Sequence, residues 1–163
     1  MSAPLNVLFL CTHNSARSVL AECLLNHLGQ GRFRAFSAGS QPGGRVNPFV
    51  LQVLSEQGIA TTGVRSKSWD EFATTGAPRM DLIITVCDSA ANEICPVWPG
   101  HPATAHWGYA DPSVTAGSDA AKLVAFRDTL ALMRRRIEIL VVLPADRLQA
   151  LKIEQTARSL ADT

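Results

Sequence analysis

Val7-Leu8-Phe9-Leu10 is an unbroken apolar run between Asn6 and the polar stretch Cys11-Thr12-His13-Asn14-Ser15. A short run without alternation predicts a strand buried on both faces. Over residues 17–28 the apolar positions change to helical spacing, which stops before Gly29 and predicts a helix. Residues 33–37 read as a second short strand, closed by a loop over 38–44 that is rich in Gly and Pro. Asn47 and Pro48 look like the N-cap and first position of a helix that reaches about Gln57 and stops at Gly58. Ser68 followed by Glu71 has the spacing of a capping box and predicts another helical turn or two.

The second half opens with the clearest strand after the first, residues 81–86, and a weaker one at 104–107 among several Pro and Gly residues. From about Ser118 the chain turns helical. Lys122, Val124, Leu130, Met133 and Ile137 are placed on a long amphipathic pattern that ends before Pro144, and a final helix is predicted over 146–160. Short buried strands alternating with helices imply an α/β fold, a parallel sheet covered on both faces in three α/β/α layers. Such a sheet binds ligands beyond the carboxyl ends of its strands, and Cys11 immediately follows one such end.

At 163 residues the chain is expected to form a single domain over 1–163, with 143–163 an extra C-terminal helix. Apolar residues make up 47% and charged residues 18%, an ordinary globular balance, and the formal charge of +1 gives no footprint for nucleic acid or a membrane surface. Arg134-Arg135-Arg136 is the one basic run and is read as a solvated helix face. With no secretory leader pattern and no span of membrane length, a cytoplasmic location is the default expectation. Four cysteines there point to catalysis, redox or metal chemistry rather than a disulfide framework.

Cys11 to Ser18 is where that chemistry concentrates. A buried strand delivers a cysteine into a polar loop, Thr12-His13-Asn14-Ser15-Ala16, that opens directly into a helix. Loop amides and the first helical turn then face inward, and the helix dipole adds partial positive charge, which makes an oxyanion site. Arg17 is placed to clamp two oxygens of a tetrahedral anion, and the same field favours the Cys11 thiolate. A lone cysteine at a strand end would ordinarily be packing; the strand–loop–helix context argues for function.

Cys87 follows its strand as Cys11 follows the first. Adjacent parallel strands lie about 4.8 Å apart and a disulfide spans roughly 4.4–6.8 Å between Cα atoms, so a Cys11–Cys87 bond is within reach if the strands are neighbours. Cys95 is eight residues further; across a helix that is about 12 Å, too far for a Cys87–Cys95 bond unless the segment loops out. Cys87, Cys95, His101 and His106 are also potential zinc ligands, but their spacing lacks a Cys-x-x-Cys or His-x-x-x-His core, so no metal is expected. Cys23, among Leu20, Leu24 and Leu25, reads as packing. Asp111, held before Pro112 in a turn-prone loop, reads equally as a turn residue or as an acid that protonates a leaving oxygen.

Together these marks resemble the arsenate reductases related to low-molecular-weight protein tyrosine phosphatases, of the thioredoxin-coupled type. The resemblance rests on Cys11 to Ser18, Leu20-Ala21-Glu22, Ser37-Ala38-Gly39, Asn47-Pro48, Thr85-Val86-Cys87, Cys95-Pro96, His106-Trp107-Gly108 and Asp111-Pro112. It implies a flavodoxin-like, four-stranded parallel sheet of order 2-1-3-4. It also implies a mechanism in which Cys11 attacks arsenate held by the loop amides and Arg17 while Asp111 protonates the departing oxygen. Ser18 would hydrogen-bond the Cys11 sulfur, and Asn14 would brace the loop. Cys87 would then take the Cys11 adduct to a Cys11–Cys87 disulfide, and Cys95 would move it to Cys87–Cys95 for an external donor, thioredoxin or a glutathione–glutaredoxin pair. Phosphate and sulfate would compete, and no cofactor is implied.

Some relatives also hold a potassium ion through groups resembling Asn14, Glu22 and Ser37 plus an aspartate. Here the nearest equivalent is Lys67, expected to pair with Glu22 in place of the ion. The competing function is a phosphomonoester hydrolase using Cys11, Arg17 and Asp111 alone; Ser113-Val114 stands where tyrosine phosphatases of this size carry tyrosines. A third reading is an oxyanion- or redox-sensing module without turnover.

Overall fold

The computed structural model describes residues 4–88 and 103–144. Strands β1 (Leu5–Cys11), β2 (Phe33–Gly39), β3 (Leu82–Thr85) and β4 (Ala103–His106) form one parallel sheet in the order β2-β1-β3-β4. Helix α1 (Arg17–Leu28) links β1 to β2, α2 (Pro48–Glu56) follows β2, and the long α3 (Asp119–Val141) follows β4. The fold and strand order are those expected, and β1 lies in the interior of the sheet because its core residues, Val7 to Leu10, are fully buried.

The alternation of side chains along a strand divides this core in two. Val7 and Phe9 join Leu20 and Leu24 of α1, Val53 and Leu54 of α2, and Phe126 and Ile137 of α3 in the larger cluster. Leu8 and Leu10 point the other way, to Ala38, Met80 and Ile83, with Phe36, Trp69 and Phe72 packed against them. Among the described residues the three α-helices therefore share one face. Among the described residues the other carries the 3₁₀ turn Trp69–Phe72, the short helical turn expected after Ser68. Ser68 Oγ caps that turn by accepting from the Asp70 N–H at 3.1 Å. The capping box is not formed, because the Glu71 carboxylate is engaged by the Arg65 guanidinium instead.

Element ends moved where pairing, rather than composition, set them. β1 and β2 run further than their apolar residues predict, because the parallel register continues through Leu10–Ala38 and Cys11–Gly39. β3 is shorter than predicted: Asp81 turns its carboxylate to the Asn6 N–H at 2.8 Å. β4 begins and ends one residue early. Asn47 caps α2 as predicted, its Oδ1 accepting from the Phe49 N–H at 2.9 Å.

α3 starts at the Ser118 cap and buries Phe126, Thr129, Leu130, Met133, Ile137 and Leu140. Val124 is 51% exposed and lies off that stripe, as does Lys122, so the predicted pattern was right only in its second half. The basic run is not uniformly solvated either. Arg134 pairs with Glu138 at 3.3 Å and Arg135 is exposed, but Arg136 stacks 4.9 Å from the Tyr109 ring centroid. At the far end of α3 the Arg32 guanidinium donates to the Val141 and Leu143 carbonyls, satisfying acceptors that a helix end leaves open. No helix among the described residues is long and apolar enough to cross a membrane. The helix predicted over 146–160 and the readings of Cys95 and His101 lie outside the described residues.

Candidate active site

Cys11 is the last residue of β1, and Arg17 is the first of α1. Between them the chain makes one tight loop whose carbonyls face away from its centre. Cys11, Thr12, His13 and Ser15 accept at oxygen from the N–H groups of Ser40 (3.3 Å), Gln41 (2.8 Å), Gly43 (3.0 Å) and Asn47 (2.9 Å). A trans peptide unit holds its C=O and the following N–H on opposite sides. Those outward carbonyls therefore turn the N–H groups of Thr12, His13, Asn14 and Ala16 inward. The Asn14 N–H confirms the direction by reaching Cys11 Sγ at 3.2 Å. No side chain caps α1, so its first-turn amides add to the same cradle.

Asn14 holds the loop in shape from a left-handed backbone conformation, φ 51°, and its hydrogen bonds fix where protons lie. The Lys67 N–H can only donate, so the Asn14 oxygen faces it at 2.9 Å. The Asn14 amide nitrogen must then donate to Ser18 Oγ (2.7 Å) and Ser37 Oγ (2.9 Å). The Ser37 hydroxyl donates to Glu22 Oε1. Ser18 is left free to donate its own to Cys11 Sγ, 2.8 Å away. The network thus leaves the Ser18 hydroxyl against the sulfur, with its proton able to point at it.

Lys67 closes the network. Its side chain is buried, with Nζ 3.7 Å from Glu22 Oε1 and 2.9 Å from the Arg65 carbonyl it donates to. Burial holds this ammonium below its ordinary value, opposed by the charge of Glu22. Around it the Asn14 oxygen accepts from the Lys67 N–H, and the Lys67 ammonium faces Glu22.

Arg17 is buried and held from outside the loop. Its Nη1 donates to the Tyr109 carbonyl at 3.0 Å, and its Nη2 lies 3.6 Å from Asp111 Oδ2. Asp111 is a turn residue, as one of its readings had it, and its second oxygen also faces Arg17. One oxygen caps the short 3₁₀ turn Pro112–Val114, accepting from the Ser113 N–H (2.9 Å) and hydroxyl (2.6 Å), while the other faces Arg17 and the loop. Asp111 stays about a quarter exposed.

β1 and β3 are adjacent and parallel, paired from Val7–Leu82 to Leu10–Thr85, with the Val86 N–H donating to the Leu10 carbonyl at 2.9 Å. Cys11 and Cys87 therefore leave the same end of neighbouring strands. Cys11 and Cys23 are free thiols, whereas Cys87 is disulfide-bonded. Cys23 is the inert one: burial, aided by Glu22, pushes its thiol up to about 12. Beside Cys87, the His106 ring meets Thr85 Oγ1 through Nδ1 at 2.7 Å.

A cysteine sulfur in an amide cradle, an arginine and a facing carboxyl group form an arrangement suited to a tetrahedral oxyanion. The family model for low molecular weight phosphotyrosine protein phosphatase matches residues 6–156. The chain belongs to that family. Within it, a protein named arsenate reductase from Halalkalibacterium halodurans is 33% identical over 132 residues, covering 81% of this chain and 91% of its own. The crystal structure of an arsenate reductase from Archaeoglobus fulgidus superposes with a TM-score of 0.68 at 32% identity, over 83% of this chain and 98% of that one. A thioredoxin-dependent arsenate reductase of Corynebacterium glutamicum superposes at 0.58 with 26% identity, over 85% of this chain and 61% of that one.

Several residues of this family site escaped sequence reasoning because they work through the backbone. Ser40, Gln41 and Gly43 orient the loop through their N–H groups, and Tyr109 orients Arg17 through its carbonyl. Gly39 is required by space: a Cβ there would lie 2.5 Å from the Thr12 oxygen and 3.0 Å from the Asn14 nitrogen. Only the Ser37-Ala38-Gly39 mark in the sequence pointed toward that contact.

Proposed function

We propose that this chain reduces arsenate to arsenite. The observation that carries the reading is the placement of Cys11, in its anion cradle, and Cys87 at the same end of adjacent parallel strands. A tetrahedral anion with a single nucleophile needs only the cradle; a second sulfur beside it provides for electron transfer.

Cys11 thiolate attacks arsenic while the loop amides and the Arg17 guanidinium hold the oxyanion, and Asp111 protonates the oxygen that leaves as water. Thr12, His13, Asn14, Ser15 and Ala16 supply the backbone of the cradle. Cys87 thiolate then attacks the Cys11 sulfur, the S–As bond breaks, and its electron pair stays on arsenic. Arsenic falls from the V to the III state as two thiols become one disulfide. Cys95 next attacks Cys87, which frees Cys11 and leaves Cys87–Cys95 for an external dithiol such as thioredoxin. Ser18 stabilises the attacking thiolate, while Asn14, Glu22, Ser37 and Lys67 brace the loop. Lys67 does so as a built-in cation, so turnover in sodium and potassium buffers is expected to be equal.

The deciding assay measures arsenate reduction with thioredoxin or with glutathione and glutaredoxin, for wild type, Cys11→Ser, Cys87→Ser and Cys95→Ser. With thioredoxin, all three variants should lose turnover. No arsenate reduction by wild type, with aryl phosphate hydrolysis retained in Cys87→Ser and Cys95→Ser, would replace this reading with a phosphomonoesterase using Cys11, Arg17 and Asp111. Full activity of Cys95→Ser with glutathione and glutaredoxin would keep the reaction and overturn the donor.

A further inference from the structure

Behind the Asp111 loop, where α3 passes the Gly108-Tyr109 segment, Gly108, Tyr109, Leu132, Arg135 and Arg136 line an open recess of about 80 Å³. We propose that this recess is a second anion site, taking one small free oxyanion of the phosphate or sulfate type.

Three observations support it independently of the catalytic loop. The first is charge. Arg134 is neutralised by Glu138, but Arg135, on the wall of the recess, has no ion pair among the described residues. Arg136 adds a second guanidinium, fixed by stacking on the Tyr109 ring. Two planar forks on consecutive helical residues are the donor set that tetrahedral oxyanions take.

The second is the Tyr109 hydroxyl. Tyr109 is 5% exposed; its hydroxyl lies beside the Arg136 guanidinium, which can only donate to it, and no acceptor for its own O–H is found among the described residues. Buried polar groups are rarely left so, and a bound anion would supply the acceptor that this O–H lacks. Burial also pushes the phenol above its ordinary value, which keeps the group a donor at neutral pH. The third is size. The recess is far below the ~300 Å³ from which pockets for larger organic ligands begin, which excludes a nucleotide and leaves a compact anion. Gly108 contributes by bearing no side chain; a Cβ there would come within 3.2 Å of His106 Nε2.

Tyr109 also carries the carbonyl that holds Arg17, so anion binding in the catalytic loop could disturb the same residue. The test must separate the two sites. Tyr109 is the chain's one tyrosine, so 3-fluorotyrosine labelling gives a single ¹⁹F resonance that reports on the recess. Inorganic phosphate is titrated at constant ionic strength while the resonance is followed. In parallel, protection of Cys11 from alkylation by iodoacetamide reports occupancy of the loop.

The expected result is a saturable ¹⁹F shift with a midpoint distinct from that of Cys11 protection. In Arg135→Gln that midpoint should weaken at least about tenfold with Cys11 protection unchanged, and Arg135→Lys should restore part of it. Unchanged basal turnover of Arg135→Gln shows that the variant is folded. An absent shift, a shift unaltered in Arg135→Gln, or one that follows the Cys11 curve in every protein overturns the proposal. Failure of phosphate to protect Cys11 counts against the catalytic reading and leaves the ¹⁹F result to judge the recess.

Discussion

Ser18 and Lys67 show how much of the site is decided by single hydrogen bonds. Ser18 Oγ lies 2.8 Å from Cys11 Sγ and accepts from the Asn14 amide nitrogen. A hydrogen bond to a charged group is worth about 1.5–3 kcal/mol, so Ser18→Ala should lower arsenate turnover roughly 10- to 100-fold with little change in thermal stability. Steady-state kinetics beside a melting curve checks both halves. Lys67 acts on the loop through charge. Lys67→Met leaves Glu22 without its buried cation and should cost on the order of 3 kcal/mol in urea denaturation. The pH dependence has a definite sign. Because the folded value lies below the ordinary 10.5, the unfolded chain holds more protons at this position between the two, so its contribution to stability rises with pH there. Wild type should gain on Lys67→Met as pH climbs toward about 10.5; parallel curves would show that Lys67 does not titrate as described.

At the scale of elements, the site is a meeting of strand ends and turns. β1 and β2 stay in register up to Cys11 and Gly39, which brings the 40–47 loop under the catalytic loop and lets it draw the carbonyls outward. Gly39→Ala places a methyl against the Thr12 oxygen and Asn14 nitrogen and should cost about 1–3 kcal/mol. It should also weaken phosphate protection of Cys11 about tenfold, since the displaced backbone is the cradle itself. Calorimetry and an alkylation assay read the two effects separately. Much of this architecture was legible beforehand: α1 was predicted to the residue and α2 to within one. The run over 69–72 was less legible, because the capping-box spacing matched but Arg65, close in space, took the Glu71 carboxylate.

For the molecule as a whole, α3 joins the site to the core. Its buried stripe packs on α1 and α2, and its other contacts reach Tyr109 beside Arg17. Phe126 is almost fully buried, with its ring centroid 5.6 Å from that of Phe49. Phe126→Ala should destabilise by about 3–5 kcal/mol, and chemical denaturation checks it. The sequence by itself determined the strands, the loop between Cys11 and Arg17, and the second cysteine at a strand end, because periodicity and residue chemistry are local. The tertiary structure decided the rest: that β1 and β3 are neighbours, that Asp111 faces Arg17 while capping its own turn, and that Lys67 reaches Glu22 across more than forty residues. It also placed Arg136 on Tyr109, where the sequence offered only a basic run. Each of these depends on which distant backbone groups come together, a property of packing and register that no local pattern encodes.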